Sequence, residues 1–234
     1  METVHQIASL VYGALSCFYL FFIIRSNYRH LKALFKILPL FALLFCLISV
    51  SMKYAAPFNI KSPYYVQKLS MVTMGVIFSL MGDIYLCYKS LFMYGILSFA
   101  VAQGFYAFTF SDEGFLFTQV RSPELISLLC IGCISIAIYA YLVSKMTCGL
   151  SVLALIYTIL ITLMAWSAVM QVQKYVSVVT LAGGVGACLF YVSDVTISMN
   201  LWRGPLSSFL AKEFVMITYY AAQLLIVFSH IYND

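Results

Sequence analysis

Long runs of apolar residues, separated by short polar breaks, extend along the whole chain. Each run is close to the ~20 residues that an α-helix needs to cross the hydrocarbon core of a bilayer. We predict eight spans from these runs: residues 7–24, 33–51, 68–88, 91–110, 124–144, 149–170, 176–199 and 209–231. The Lys89-Ser90 turn divides the third run from the fourth, because one helix across both would be twice too long. The pattern therefore predicts an all-α, polytopic integral membrane bundle of eight transmembrane helices.

The composition agrees with a membrane location and narrows the function classes. The 234 residues are 64% hydrophobic and 9% charged, whereas a soluble globular domain is about 25% charged. The net charge is +5, but Lys and Arg are scattered, so we expect membrane lipids rather than nucleic acid as partners. The three histidines are far apart, and we expect no metal site, no cofactor and no serine-nucleophile chemistry. No break is long enough to divide the chain, which predicts a single domain over residues 1–234 and leaves the oligomeric state open.

Two aspartates, Asp83 and Asp194, lie well inside predicted membrane helices. The other acidic residues fall at the termini or in the breaks between apolar runs: Glu2, Asp112, Glu113, Glu124, Glu213 and Asp234. A carboxyl group in the hydrocarbon costs roughly 2.5–3.5 kcal/mol on insertion scales and is by default a functional hypothesis. An amide would join helices at a lower cost, so we assign this pair to function.

The order of the helices predicts that the two carboxyl groups lie on the same side of the membrane. The third and seventh helices are both odd-numbered and hence parallel, and each aspartate falls near the C-terminal end of its helix. Lys and Arg are more numerous in the breaks on that side: Arg25, Arg29, Lys32, Lys36, Lys89, Lys145, Arg203 and Lys212, against Lys53, Lys61, Lys68, Arg121 and Lys174. The positive-inside rule then predicts that both termini are non-cytosolic.

Further polar residues inside the spans are candidates to line one cavity with the aspartates: Lys36, Gln103, Tyr106, Tyr219, Tyr220 and Gln223. Tyr219 and Gln223 are four residues apart on a predicted helix, and Gln103 and Tyr106 are three apart, so each pair shares a face. Interhelical hydrogen bonds that only hold the bundle together are the alternative role for these side chains.

Two carboxyl groups in a low-dielectric site can divide acid and base roles, with one protonated and the other ionised. That arrangement suits hydrolysis through an oxocarbenium-like species, in which the acid donates a proton and the carboxylate stabilises the cation or activates water. The same two aspartates would also suit a proton relay in a transporter or lipid-handling protein. A non-catalytic scaffold, in which the polar residues only specify packing, is the third alternative.

Several of these segments resemble the lysoplasmalogenase family of membrane proteins, the YhhN-like group, and they follow the family order through most of the chain. The matching blocks are Lys36-Ile-Leu-Pro39, Phe78-Ser-Leu-Met-Gly-Asp83, Phe99 to Phe110, Tyr157 to Trp166, Phe190-Tyr-Val-Ser-Asp194-Val-Thr-Ile, and Met216-Ile-Thr-Tyr-Tyr-Ala-Ala-Gln223-Leu-Leu-Ile. The resemblance implies hydrolysis of the vinyl ether bond of lysoplasmalogens to a fatty aldehyde and glycerophosphocholine or glycerophosphoethanolamine.

The resemblance also implies roles for individual residues. Asp83 and Asp194 are expected to be the catalytic acid and base, in an order that the sequence does not give. The remaining candidates are expected to bind substrate or order water, with Lys36 near the phosphate and the others being Gln103, Tyr106, Tyr219, Tyr220 and Gln223. The expected partner is a lysophospholipid substrate, and the expected location is the endoplasmic reticulum membrane.

One residue departs from the family pattern. The fourth-helix block usually carries a histidine where this chain has Gln103. If that histidine moves protons, glutamine cannot replace it, because an amide does not titrate. The chain would then be slow, altered in substrate, or a non-catalytic family member. If the histidine only forms hydrogen bonds, glutamine can serve, and we expect retained activity.

Overall fold

Eight α-helices build the fold in the part of the chain that the structure describes. The computed structural model describes residues 2–24, 28–55, 63–111, 122–204 and 210–232. The helices are α1 (Glu2–Phe18), α2 (Arg29–Ala55), α3 (Pro63–Leu86), α4 (Phe92–Phe110), α5 (Ser122–Val143), α6 (Cys148–Lys174), α7 (Val178–Trp202) and α8 (Leu210–Ile231). A π-helical turn, Tyr19–Ile23, continues α1, and a 3-10 turn, Lys89–Leu91, precedes α4. These residues contain no strand, so the predicted all-α bundle is confirmed.

Some charged residues that the sequence assigns to breaks or to the end of the chain lie outside the described residues. They are Arg25, Lys61, Asp112, Glu113, Arg121 and Asp234. The predicted orientation of the termini, which depends in part on this group, stays a prediction.

Seven helices in the described part of the chain, α2 to α8, are long and apolar enough to cross a membrane. The remaining apolar helix, Gln6–Phe22, is shorter than these seven. Large hydrophobic side chains stay exposed along the outside of the bundle, such as Leu10, Phe21 and Ile136. Such side chains face lipid without cost in a bilayer. The chain is therefore an integral membrane protein.

Two helix pairs form the centre of the bundle. α3 packs along α4, α7 packs along α8, and α4 also contacts α6. The largest fully buried side chains include Tyr106, Trp166 and Phe190, which lie on α4, α6 and α7. α5 is the least buried of the seven long helices and packs mainly on α6.

The start of α7 has a local cause in the sequence. The Ser177 hydroxyl accepts a hydrogen bond from the Thr180 backbone N–H at 3.1 Å, and the Thr180 hydroxyl accepts one from the Ser177 backbone N–H at 3.0 Å. This reciprocal capping box satisfies two N–H groups that the first helical turn would leave unpaired. It fixes where α7 begins and therefore the depth of Asp194 along it.

Glycines let the central helices approach closely. A Cβ added to Gly75 on α3 would overlap the Tyr106 ring of α4, and one added to Gly82 would lie 2.6 Å from the Phe99 ring. On α7, a Cβ at Gly186 would lie 3.1 Å from the Ala222 carbonyl oxygen of α8. Small residues at such crossings allow the van der Waals packing that holds membrane helices together.

We predict that Gly75→Ala lowers the free energy of unfolding by about 1–3 kcal/mol, because Tyr106 is fully buried and cannot move aside for the new methyl group. The matched control is Gly132→Ala on α5, where nothing lies within 4 Å of the added Cβ. The control should be neutral or slightly stabilising. Thermal unfolding in detergent measures both variants, and equal melting temperatures would contradict the close approach at Gly75.

Candidate functional site

A cavity of about 950 Å³ opens between the helices at the end of the bundle where α3 and α7 end. Side chains of α2 to α8 line it, and most of them are apolar, such as Leu86, Phe99 and Ile161. Asp83 and Asp194 both line this cavity. The volume is near the upper end of the ~300–1,000 Å³ typical of small-molecule sites. The two carboxyl groups thus share one apolar chamber.

Asp83 is held by two neighbours from other helices. The Lys36 ammonium nitrogen of α2 lies 2.8 Å from its Oδ1, and the Tyr219 hydroxyl of α8 donates to its Oδ2 at 2.8 Å. Asp83 is 1% exposed, so the carboxylate depends on these partners rather than on water. A buried charge is tolerated when it is paired and hydrogen-bonded in this way. The lysine ammonium group thus supplies a countercharge to the Asp83 carboxylate.

Tyr220, next to Tyr219 on α8, positions the lysine rather than the carboxyl group. Its hydroxyl donates to the Lys36 backbone carbonyl oxygen at 2.9 Å, and the Tyr12 hydroxyl of α1 donates to the Tyr220 carbonyl oxygen at 2.6 Å. These bonds join α1, α2 and α8 at the level of the ion pair. Tyr220 is not among the cavity-lining residues.

Asp194 has different surroundings. The Tyr157 hydroxyl of α6 donates to its Oδ2, and the Gln103 amide nitrogen of α4 donates in turn to the Tyr157 hydroxyl oxygen at 3.5 Å. Among the described residues, Asp194 has no salt bridge. It is also more exposed to the cavity than Asp83. One carboxyl group is therefore paired with a cation, and the other with a neutral hydroxyl group.

Sequence reasoning did not select Tyr157 as a site residue. It sits in an α6 stretch whose neighbours are apolar, and membrane helices contain many tyrosines that only pack or face the interface. The available signal was its position at the start of the Tyr157–Trp166 block. Only the crossing of α6 and α7 brings its hydroxyl to Asp194.

A second polar group lies behind the cavity wall. The Tyr106 hydroxyl donates to Gln223 Oε1 at 2.7 Å and lies 3.4 Å from the Ser79 hydroxyl oxygen. Tyr106, Gln103 and Gln223 are fully buried and do not line the cavity. Within the described part of the chain, Gln103 Oε1 and Gln223 Nε2 have no hydrogen-bond partner. This group joins α3, α4 and α8 beneath the site.

Aromatic rings form the wall beside Asp83. The Tyr219 ring meets Phe190 edge-on with centroids 5.4 Å apart, and it meets Phe99 in the same way at 6.0 Å. Such edge-to-face contacts fix ring orientation. The Tyr219 hydroxyl is therefore directed at Asp83 by packing on both sides. No cluster of three metal-ligating side chains occurs among the described residues.

The sequence comparisons agree with the order of these elements. Residues 31–230 match the sequence profile of the YhhN family. The chain belongs to the YhhN family. The match runs from the start of α2 almost to the end of α8, so it includes both aspartates, Lys36 and Tyr157.

Curated relatives cover most of the chain. A Bos taurus protein named lysoplasmalogenase TMEM86A is 30% identical over 209 residues, which are 87% of this chain and 80% of that protein. The Homo sapiens lysoplasmalogenase TMEM86A is 28% identical over the same shares of the two chains. A Dictyostelium discoideum lysoplasmalogenase homolog is 26% identical over 87% of this chain and 78% of its own length. No solved structure matches the chain significantly.

We predict a strong coupling between Lys36 and Asp83 in folding stability. Lys36→Met alone should destabilise the protein, because it leaves Asp83 buried without its countercharge. The double variant Lys36→Met/Asp83→Asn should recover part of the loss, with a coupling free energy of about 2 kcal/mol. Thermal unfolding of wild type, both single variants and the double variant measures this cycle. Additive losses would contradict a stabilising role for the ion pair.

Proposed function

We propose that this protein hydrolyses the vinyl ether bond of lysoplasmalogens with Asp83 and Asp194 as the acid and base. The observation that carries the proposal is the pair of unlike carboxyl groups in one apolar cavity, one with a lysine and one with a tyrosine. A membrane cavity of this size and apolar character suits a single-chain lipid. The names of the TMEM86A relatives support the same substrate class.

Asp194 is the proposed general acid. Vinyl ethers are hydrolysed by protonation on the carbon that lies β to the ether oxygen. The proton must come from a carboxyl group that is neutral before the reaction, and Asp194 has no cation beside it among the described residues. A buried carboxyl group without a countercharge favours its neutral form. Tyr157 keeps one oxygen of Asp194 occupied and so orients the other toward the cavity.

Asp83 is the proposed base and cation stabiliser. Protonation of the double bond leaves an oxocarbenium ion on the α carbon, and the Asp83 carboxylate provides a negative charge within the cavity that stabilises this cation. Water adds to this carbon to form a hemiacetal. The added water gives one proton to Asp83. The carbon–oxygen bond to glycerol then breaks as the hemiacetal hydroxyl loses its proton and the glycerol oxygen gains one. The products are a fatty aldehyde and glycerophosphocholine or glycerophosphoethanolamine.

Gln103 fits a hydrogen-bonding role in this scheme. It contacts Tyr157 rather than either aspartate, so it acts two hydrogen bonds away from the reacting atoms. A side-chain amide can donate this bond as well as an imidazole can. The family histidine is therefore dispensable if it orients Tyr157, and this supports retained activity. The substrate class also supports an endoplasmic reticulum membrane as the site of action.

Aldehyde release is the decisive test of this proposal. Purified wild type should form fatty aldehyde from a lysoplasmalogen and none from the saturated ether analogue, which has no double bond to protonate. Asp83→Asn and Asp194→Asn should each lower kcat by at least ~100-fold, because an amide can neither donate nor accept the proton. Mass spectrometry measures the aldehyde, and thermal unfolding verifies that both variants are folded.

Other outcomes would contradict the hydrolase or favour one of the alternative functions. A folded wild type that binds the lysoplasmalogen and forms no aldehyde, under conditions in which a histidine-bearing relative does, would contradict the hydrolase for this chain. Transport of the lipid in proteoliposomes, lost in both asparagine variants, would then favour the proton-relay alternative. Full activity in both variants would leave the aspartates a structural role.

We predict that Tyr157→Phe lowers kcat about tenfold and changes KM little, because the lost hydroxyl orients Asp194 and does not bind the lipid. The matched control is Tyr94→Phe on α4, an exposed tyrosine that does not line the cavity. Steady-state kinetics of aldehyde formation separates kcat from KM. A change confined to KM would contradict the orienting role and indicate direct contact with substrate.

A further inference from the structure

Three lysines other than Lys36 line the mouth of the cavity. Lys32 lies on the first turn of α2, Lys89 follows the end of α3, and Lys212 lies on the first turn of α8. These three positions come together because α2 and α8 begin at the end of the bundle where α3 finishes. Lys89 and Lys212 are exposed, and Lys32 is partly exposed. We call this group the mouth lysines.

The positive charges of the mouth lysines have no salt-bridge partners among the described residues. Asp83 and Asp194 are the only acidic residues that line the cavity in the described part of the chain, and Asp83 is occupied by Lys36. Among the described residues, none of the mouth lysines forms a salt bridge. Lys212 is also close enough to Lys32 for the two positive charges to repel. An anion at the mouth would relieve this repulsion.

The spacing along the helices gives the distance from this charge to the aspartates. Lys32 precedes Lys36 by four residues on α2, which at 1.5 Å per residue corresponds to a rise of about 6 Å, and Lys89 lies just beyond the end of α3, the helix that carries Asp83. In a lysoplasmalogen, six bonds separate the phosphorus atom from the vinyl ether carbon, or about 7 Å when extended. An anion at the mouth and a reacting bond beside Asp83 therefore fit one molecule.

We propose that Lys32, Lys89 and Lys212 bind the phosphate of the lysolipid headgroup at the mouth of the cavity. This assignment rests on the proposed function, which supplies the substrate class. Ammonium groups bind phosphate as movable point charges, and three on separate elements can surround it. The apolar chain then extends into the cavity and the vinyl ether reaches the aspartates.

The same arrangement predicts low selectivity for the rest of the headgroup. No carboxylate lines the mouth among the described residues, so no ion pair there holds the ammonium group of choline or ethanolamine. Both headgroups should bind with similar affinity, since the phosphate is common to them. The contact between the lysines and the phosphate, rather than a contact with the ammonium group, sets the position of the lipid in the cavity.

The test measures binding, so it does not require turnover. The ligand is a saturated 1-O-alkyl-glycerophosphocholine, and its partner is the phosphate-free 1-O-alkylglycerol of the same chain length. Each of Lys32→Gln, Lys89→Gln and Lys212→Gln should weaken binding of the phospholipid about fivefold, and the triple variant about 100-fold. Binding of the alkylglycerol should not change. Lys145→Gln is the matched control, because Lys145 is exposed at the same end of the bundle but does not line the cavity.

Other outcomes would overturn the assignment. Equal losses for both ligands would mean that the lysines maintain the cavity, and an equal loss in Lys145→Gln would mean that they act through general surface charge. Inorganic phosphate that binds as tightly as the phospholipid would identify a free-phosphate site. Aldehyde formation without any effect of the lysines on binding would leave the hydrolase intact and remove only the headgroup site. Lysine-dependent binding without aldehyde formation would retain the headgroup site and contradict the hydrolase.

Discussion

The ion pair between Lys36 and Asp83 is the constraint on which the rest of the site depends. A carboxylate that is 1% exposed inside a membrane bundle needs a countercharge and hydrogen-bond donors. Lys36 and Tyr219 supply them from α2 and α8, and Tyr220 fixes the lysine backbone. Three helices, α2, α3 and α8, are therefore held in one arrangement at the depth of Asp83. That arrangement also gives Asp83 a countercharge, which a bare pair of carboxyl groups would not have.

The unlike surroundings of the two aspartates give the proposed reaction its direction. Asp83 has a cation beside it, whereas Asp194 has only the Tyr157 hydroxyl. Two carboxyl groups with the same partners would compete for the same protonation state, and neither would be committed to the acid or base role. The difference comes from which helix faces each aspartate: α2 meets α3, and α6 meets α7. The same division places the ion pair where α2 and α3 border the cavity, whereas most of the other lining side chains are apolar.

The fold was largely predictable because a bilayer leaves few options for an apolar chain. Backbone N–H and C=O groups must be satisfied within each segment, so every long apolar run becomes a helix. The predicted spans agree with α2 to α8 to within a few residues, and the short break at Lys89-Ser90 is a turn between α3 and α4. The first helix is less regular than predicted, because a π-helical turn follows Phe18. Apolar periodicity carries no signal for that change in helix type.

The sequence by itself determined the number and order of the helices, the family, and the presence of two carboxyl groups within membrane-spanning segments, because these follow from the position of each residue along the chain. Tertiary structure decided which polar groups meet. Lys36 pairs with Asp83, Tyr157 with Asp194, and Tyr106 with Gln223 behind the wall, although each pair is distant in sequence. Apolar stripes on these helices are nearly continuous, so the sequence does not specify how each helix is rotated about its axis. Side-chain packing at the glycine crossings sets that rotation, and with it the residues that face the cavity.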